Sequence, residues 1–285
     1  MSTVITCGAR TLDLSGPTIM GVLNVTPDSF SDGGALYQGA ALSQDLLLKR
    51  AEQMVLDGAQ VLDVGGESTR PGASPVSEAE ERDRVLGAIE ALTRHVDALV
   101  SVDTSTPSVM TESARLGAGL LNDVRGFRRP GALQAAAATG LPLCMMHMQG
   151  EPDTMQQNPQ YDDVMSGVRH FFDDRLTACE AAGIARERVI FDPGFGFGKT
   201  AEHNFHLLAH LRDLCLGGHP ILVGLSRKSM IASVLDRAPE ERVYASVALA
   251  LMAVERGASI VRVHDVAATA DALAMWGALP RSIDR

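Results

Sequence analysis

The chain is short of aromatic residues, cysteines, basic charge and long apolar runs, and each shortage excludes a class of protein. Aromatic residues make up 4% of the 285, with one Trp and three Tyr, while Ala, Val and Leu abound, which favours helices packed on buried strands. The four cysteines (Cys7, Cys144, Cys179, Cys215) lie far apart with no Cys-x-x-Cys pair. That spacing excludes a four-cysteine metal site and reads as reduced thiols in a cytoplasmic protein. The longest apolar run, residues 245–254, is too short to span a bilayer and sits between Arg242 and Glu255. Residues 1–16 lack the charged-then-apolar order of a secretory signal, so neither export nor a membrane is expected. Basic residues number 25 against 35 acidic ones, a net charge of −10. Nucleic acid is excluded as a partner, because neutralising phosphates needs a broad basic surface, although a small anion can bind where a few cations converge.

What the chain does have is a rhythm. Composition is that of a globular protein, 46% hydrophobic and 21% charged. Eight short apolar runs recur, at 18–25, 60–64, 98–102, 119–121, 142–146, 189–191, 221–225 and 260–263. They lack polar alternation, as strands covered on both faces should. Helical spacing fills the gaps: Leu47, Ala51, Met54 and Val55 share one face, and Val85, Ile89 and Leu92 another. Ser77 with Glu80 fits a capping box, Thr106-Pro107 fits an N-cap, and Gly-Ala pairs at 58–59, 117–118 and 257–258 fit helix ends. Eight strand–helix units without a linker predict a single (β/α)8 barrel over 17–285, with residues 1–16 as a short extension over its bottom.

In such a barrel the chemistry lies at the carboxyl ends of the strands, and here every run ends in polar residues. In order these are Asn24, Asp63, Asp103, Asn122-Asp123, His147, Asp192, Ser226-Arg227-Lys228-Ser229, and Arg262 with His264-Asp265. Capping explains one such residue but not eight, so a shared polar site is expected. Asp103 has the alternative of a helix N-terminal acid, and Asp192-Pro193 that of a turn. Lys228 opens a helix, where the macrodipole disfavours a cation, so a ligand is the better explanation. Arg262 and His264 alternate on one strand and share a face; a buried Arg needs an anion, either a ligand or an acid such as Asp103 or Asp265. The stretches 26–34 and 65–72 read as mobile covers over the barrel mouth.

Three other patterns in the chain point elsewhere but are incomplete. Gly196-x-Gly198-x-x-Ala201 resembles a dinucleotide loop but lacks the acid of a second strand end. The phosphate-loop pattern fails because Pro193 stands where its first Gly belongs. His203, His206 and His210 have helical spacing, yet amid Phe205, Leu207 and Leu208 they read as a solvated helix face rather than a metal site.

Together the strand-end segments resemble the dihydropteroate synthase family. They are residues 20–34 and 63–72, Val102-Asp103-Thr104, Asn122-Asp123-Val124, 146–150, 192–199, Ser226-Arg227-Lys228-Ser229, and Arg262-Val263-His264-Asp265. The resemblance implies a transferase of folate biosynthesis, from a family that sulfonamides target. It condenses 6-hydroxymethyl-7,8-dihydropterin diphosphate with 4-aminobenzoate. It further implies a pterin pocket of Asp103, Asn122, Met146, Asp192, Phe195, Gly224 and Lys228. A diphosphate site of Asn24, Thr69, Arg70, Arg262 and His264 follows, with Mg²⁺ on Asn24. The 4-aminobenzoate end is implied at Pro27, Phe30, Thr69, Pro71 and Ser229, and Asp32 is implied to steady a cation beside Lys228, Arg262 and His264. The family implies a homodimer, and the apolar stretch 243–254 suits a buried helix or a dimer face. Alternatives are a pterin-binding methyltransferase barrel, which would not be expected to keep both long loops, and a catalytically silent pterin-binding paralogue.

Overall fold

A computed structural model of the chain describes residues 4–26, 36–38, 41–68, 76–151, 154–214 and 216–279. Strands β1 (Val4–Cys7) and β2 (Arg10–Asp13) form an antiparallel hairpin, and β4 (Tyr37–Gln38) and β5 (Ala41–Leu42) form another. The remaining strands are β3 (Thr18–Asn24), β6 (Val61–Gly65), β7 (Leu99–Asp103), β8 (Leu120–Asp123), β9 (Leu143–Met146), β10 (Val189–Asp192), β11 (Leu222–Val223) and β12 (Ile260–Val263). These eight pair in parallel in the order β10-β9-β8-β7-β6-β3-β12-β11. A bridge between Phe191 and Ile221, with the Phe191 N–H on Pro220 O at 3.0 Å, closes the sheet into a barrel. The eight apolar runs of the sequence are these eight strands.

Helices α1 (Gln44–Leu56), α2 (Glu78–His95), α3 (Pro107–Arg115), α4 (Ala132–Thr139), α5 (Val164–Ala181), α6 (Ala201–Ala209), α7 (Ser229–Ala232), α8 (Val243–Glu255) and α9 (Val266–Gly277) lie outside it. The Ser77–Glu80 capping box opens α2. Thr106 does sit at the N-cap of α3, but its hydroxyl is turned to the buried Glu81 carboxylate at 2.6 Å instead of capping the helix. The three Gly-Ala pairs close α1, α3 and α8 alike. Each glycine has φ near +100°, and the following alanine N–H reaches back five residues, as Ala59 does to Met54 O at 2.9 Å.

Apolar packing falls on both sides of the barrel wall. Strand residues Met20, Val61, Leu99, Leu120, Cys144, Ile190, Leu222 and Ile260 fill its lower interior, and Ile5, Cys7 and Leu12 of the first hairpin pack on them. The larger core joins the outer faces of the strands to the helices, among them Leu47, Val85, Ile89, Leu92, Phe172 and Leu207. With its lower half filled by aliphatic side chains, the barrel has room for polar groups at the carboxyl end alone.

Candidate active site

Strand register builds the site. Asn24 lies beside Gly65, Gly65 beside Asp103, and Asp103 beside Asn122, so four consecutive strand ends put three polar side chains in one row. Gly65 is the gap in that row: both Asn24 Oδ1 and Asp103 Oδ2 lie 3.7 Å from where a Cβ would stand. One pleat lower on β6, Asp63 faces the same side as Gly65 and is fully buried.

Arg262 crosses to this row from β12. Its Nε donates to Asp63 Oδ2 at 2.7 Å and its terminal nitrogen to Asp103 Oδ2 at 3.1 Å. Asn122 Nδ2 also donates to Asp63 Oδ2, at 3.1 Å, while Asp63 Oδ1 is buried with no partner. Burial opposes the Arg262 charge, but Asp63 and Asp103 outweigh it and hold the guanidinium firmly protonated. Asp103 moves the other way: burial, then the neighbouring charge of Asp63, pushes its carboxyl up to about 8 despite Arg262. Asp103 is thus a member of an ion-paired pocket wall rather than a helix cap, and Arg262 has internal acids as well as a half-open face.

The opposite wall comes from β9, β10 and the loop beyond. Met146 and Asp192 are register partners. Asp192 is buried and its Oδ1 accepts the Gly194 N–H at 2.7 Å, so it holds the turn that follows β10 while standing at the strand end. Burial raises its pKa, partly offset by that N–H and by Lys228. Lys228 stands at the N-cap of α7, with Nζ 4.1 Å from the centre of the Phe197 ring. Burial lowers it to about 8, against the pull of Asp192. Gly224 is half-buried, with nothing within 4 Å of a Cβ position.

One residue of the expected pterin wall is corrected. Phe195 is 1% exposed and packs in the outer core, leaving no face for a ligand. The glycines at 194 and 196, with φ of +68° and +78°, turn successive side chains of this loop to different sides. Phe197, half-buried beside Met146 and Lys228, lines the pocket instead. The pattern Gly-Phe-Gly-Phe-Gly offers two aromatics, and nothing in it distinguishes the inward one.

At the end of β12, His264 closes the site. Its N–H donates to Ser226 Oγ at 3.3 Å, and its Nδ1 shares a hydrogen bond with the same oxygen at 3.0 Å. Arg227, at φ +58°, forms a two-toothed pair with Asp265 at 2.6 and 3.0 Å, tying β11 to β12. Ser229 is exposed at the first position of α7, a helix of four residues, so its few free N–H groups offer an anion little more than a single turn would. Asp123, another strand-end acid, is absorbed by structure: it accepts from Ser105 Oγ and from the N–H groups of Arg125 (2.8 Å) and Phe127 (2.7 Å). Pro27, Phe30, Asp32, Thr69, Arg70 and Pro71 lie outside the described residues. At the root of the second long stretch Glu67 pairs with Arg125 through two contacts of 2.9 Å.

Two further residues, neither with a role assigned from the sequence, hold the arrangement together. Asp63 was visible as a strand-end acid but carried no role, and it anchors both Arg262 and Asn122. Lys199 occupies the lysine position of the failed phosphate-loop pattern; it is buried, with Nζ 2.9 Å from both His147 Nδ1 and Gly194 O. On α6 the side chain of His206 is exposed, as is that of His210 at its C-cap, and among the described residues no cluster of three or more His, Cys, Asp or Glu is placed to hold a metal.

Acids and cations converge at the carboxyl-end mouth of a (β/α)8 barrel, where enzymes of this fold carry their active sites, and residues 20–264 match the family described as pterin binding enzyme. Similarity extends to particular members. The dihydropteroate synthase of Escherichia coli (strain K12) is 52% identical over 262 residues, 92% of this chain and 91% of that protein. The Haemophilus influenzae enzyme of the same name is 50% identical over 94% of this chain and 96% of its own. Among solved structures, Yersinia pestis dihydropteroate synthase in a sulfonamide drug complex superposes with a TM-score of 0.93 at 52% identity, covering 96% of this chain and 98% of that one. Xanthomonas albilineans dihydropteroate synthase with 4-aminobenzoic acid gives 0.90 at 46% identity, covering 98% and 100%. The chain belongs to the pterin-binding enzyme family and, within it, to the dihydropteroate synthases.

Proposed function

We propose that the chain condenses 6-hydroxymethyl-7,8-dihydropterin diphosphate with 4-aminobenzoate to give 7,8-dihydropteroate and diphosphate. The observation that carries this reading is the facing pair of walls: Asp103, Asn122 and Arg262 on one side, Asp192 and Lys228 on the other, in a chain 52% identical to a dihydropteroate synthase. A pterin presents ring N–H groups and a 2-amino group along one edge. The Asp192 carboxylate accepts two of these side by side, the geometry of a strong charge-assisted pair. Asn122 offers donor and acceptor together, and Lys228 donates to a ring nitrogen or carbonyl. Met146 and Phe197 flank the ring. A carboxyl at Asp103 held near neutrality can meet either a ring donor or a ring lone pair.

Arg262 and His264 hold the diphosphate, aided by Thr69 and Arg70. The C–O bond to diphosphate breaks first, leaving a pterin-stabilised cation steadied by Asp32, and the arylamine nitrogen then forms the new bond and loses a proton. No protein nucleophile is needed; positioning and electrostatics carry the step. Pro27, Phe30, Thr69, Pro71 and Ser229 form the 4-aminobenzoate end. Asn24 fits Mg²⁺: its Oδ1 stands at the end of β3 beside the gap over Gly65, a hard oxygen for a cation that keeps water and phosphate ligands. When bound there by Asn24, it would neutralise charge on the leaving diphosphate.

The protein acts as a cytoplasmic homodimer in this reading. No helix among the described residues is long and apolar enough to cross a membrane, while Tyr244 and Met252 on α8 and Met275 on α9 stand 89%, 44% and 72% exposed, an apolar face that a second copy would cover. Light scattering at micromolar concentration checks the dimer. The activity is tested by giving purified protein both substrates with and without Mg²⁺. Equal, magnesium-dependent release of dihydropteroate and diphosphate is expected. Pterin binding without product would overturn the synthase reading in favour of a silent pterin-binding protein.

A further inference from the structure

The buried cation that the proposed reaction leaves unused is Lys199, and its surroundings form a complete cage. Its three short contacts are to His147 Nδ1 (2.9 Å), Gly194 O (2.9 Å) and Phe197 O (3.0 Å), with His147 O further off at 3.4 Å. Three N–H donors of an ammonium therefore meet three acceptors. Two of these acceptors belong to the loop that carries the pocket wall, and the third belongs to the residue that follows β9. Burial of such a group without full satisfaction would be costly, so its placement fixes where the main chain must run.

Glycines make that path sterically possible. Gly194 (φ +68°) lies so close to the β9 end that a Cβ would fall 1.9 Å from His147 O, and at Gly198 (φ +60°) a Cβ would fall 2.4 Å from Gln149 O. The loop is thus drawn onto the 147–149 segment with no room between, and the Lys199 ammonium is what joins the two. Each of the two loop residues it holds has one further contact on the pocket wall. The Gly194 N–H donates to Asp192 Oδ1 at 2.7 Å, and the Phe197 ring seats Lys228 Nζ at 4.1 Å.

We propose that Lys199 is a positioning residue for the pterin subsite, an internal clamp that sets Asp192 and the Phe197–Lys228 pair at their working separation. This rests on the pterin reading of the site. His147, which faces the ammonium, is kept neutral by burial and by Lys199 itself, lowered to about 2, so it serves as an acceptor and does not compete for the proton. Asp192 and Lys228 are the other charges that act on Lys199, and Arg128 acts on His147.

The test compares wild type with Lys199→Met, which keeps length and removes the donors, and with Tyr161→Phe, which removes only the hydrogen bond to Gly198 O of 2.9 Å. Dissociation constants for 6-hydroxymethylpterin, KM for each substrate, kcat and Tm are measured for all three. For Lys199→Met the expected result is at least a tenfold rise in the pterin dissociation constant and in KM for the pterin diphosphate, with KM for 4-aminobenzoate within twofold. Tyr161→Phe should lower Tm while leaving pterin affinity within twofold. If Lys199→Met does not fold, His147→Leu, which takes away one of the three acceptors, should show the same selective rise to a smaller degree. Pterin affinity unchanged in a folded Lys199→Met, or both KM values rising together, would overturn the clamp. Failure of the wild type to bind pterin would instead overturn the proposed function, so the two failures are separable.

Discussion

Arg262 donates to Asp63 across 199 positions of sequence, at 2.7 Å, reaching over β3 from the last strand of the barrel to the second. The contact joins the two ends of the parallel strand series, and Asp103 and Asn122 attach to the same pair. Asp63 is therefore as much a part of the candidate site as the residues at its open face.

Removing that acid should unfold the protein more readily. Asp63→Ala leaves the Arg262 charge with one acid instead of two and Asn122 without its acceptor; a buried pair broken on one side costs about 3–5 kcal/mol, and the remaining Asp103 contact places the expected loss at the lower end. Urea denaturation should show a loss of that order, whereas Asp63→Asn, which keeps an acceptor oxygen, should lose less.

Asp192→Asn should leave the fold intact, since an amide oxygen still accepts the Gly194 N–H. One acceptor becomes a donor facing the pterin edge. A hydrogen bond to a charged group is worth about 1.5–3 kcal/mol, so pterin affinity should fall roughly tenfold to a hundredfold in a binding titration.

Phe195 and Phe197 should separate stability from binding. Phe195→Ala opens a cavity in the outer core and should cost about 3–5 kcal/mol in denaturation. Phe197→Ala should cost less stability and act mainly on KM for the pterin diphosphate, through the lost seat of Lys228.

Titration of the site should shape stability around neutrality. Asp103, raised to about 8 from the ordinary carboxylate range, binds its proton more tightly folded than unfolded, so its contribution falls as pH rises from about 4 to 8. Lys199 and Lys228 are lowered to about 7 and about 8, so the unfolded chain holds more protons at these two positions, and their contribution rises from about pH 7 to the ordinary lysine range. The substrate-free protein should show a shallow dip in Tm between pH 7 and 8. Asp103→Asn should raise Tm at pH 8 relative to wild type and leave it little changed at pH 4.

A pair of alanine substitutions checks the loop. Gly87 lies inside α2 with nothing within 4 Å of a Cβ position, so Gly87→Ala should stabilise by roughly 0.5–1 kcal/mol. Gly194→Ala drives a methyl group into His147 O and should abolish pterin binding before it abolishes secondary structure, read by a binding titration beside circular dichroism.

The barrel, its eight strands and most strand-end side chains of the candidate site are legible in the order of residues. Parallel strands covered on both faces must be continuously apolar, and a polar residue closing each run can then lie only at the mouth. Asp103, Asn122, Asp192, Lys228, Arg262 and His264 are legible for that reason, and the turn chemistry at Gly58, Gly117 and Gly257 is local. Tertiary structure alone decided the remainder, because it depends on contacts between residues remote in the chain. Whether Phe195 or Phe197 faces the pocket turns on backbone angles at the glycines between them. That Asp63 holds Arg262 follows from barrel closure, which brings the last strand beside the first. That Lys199 is a caged ammonium rather than a surface cation follows from the approach of its loop to His147, a distance that spacing along the sequence does not contain.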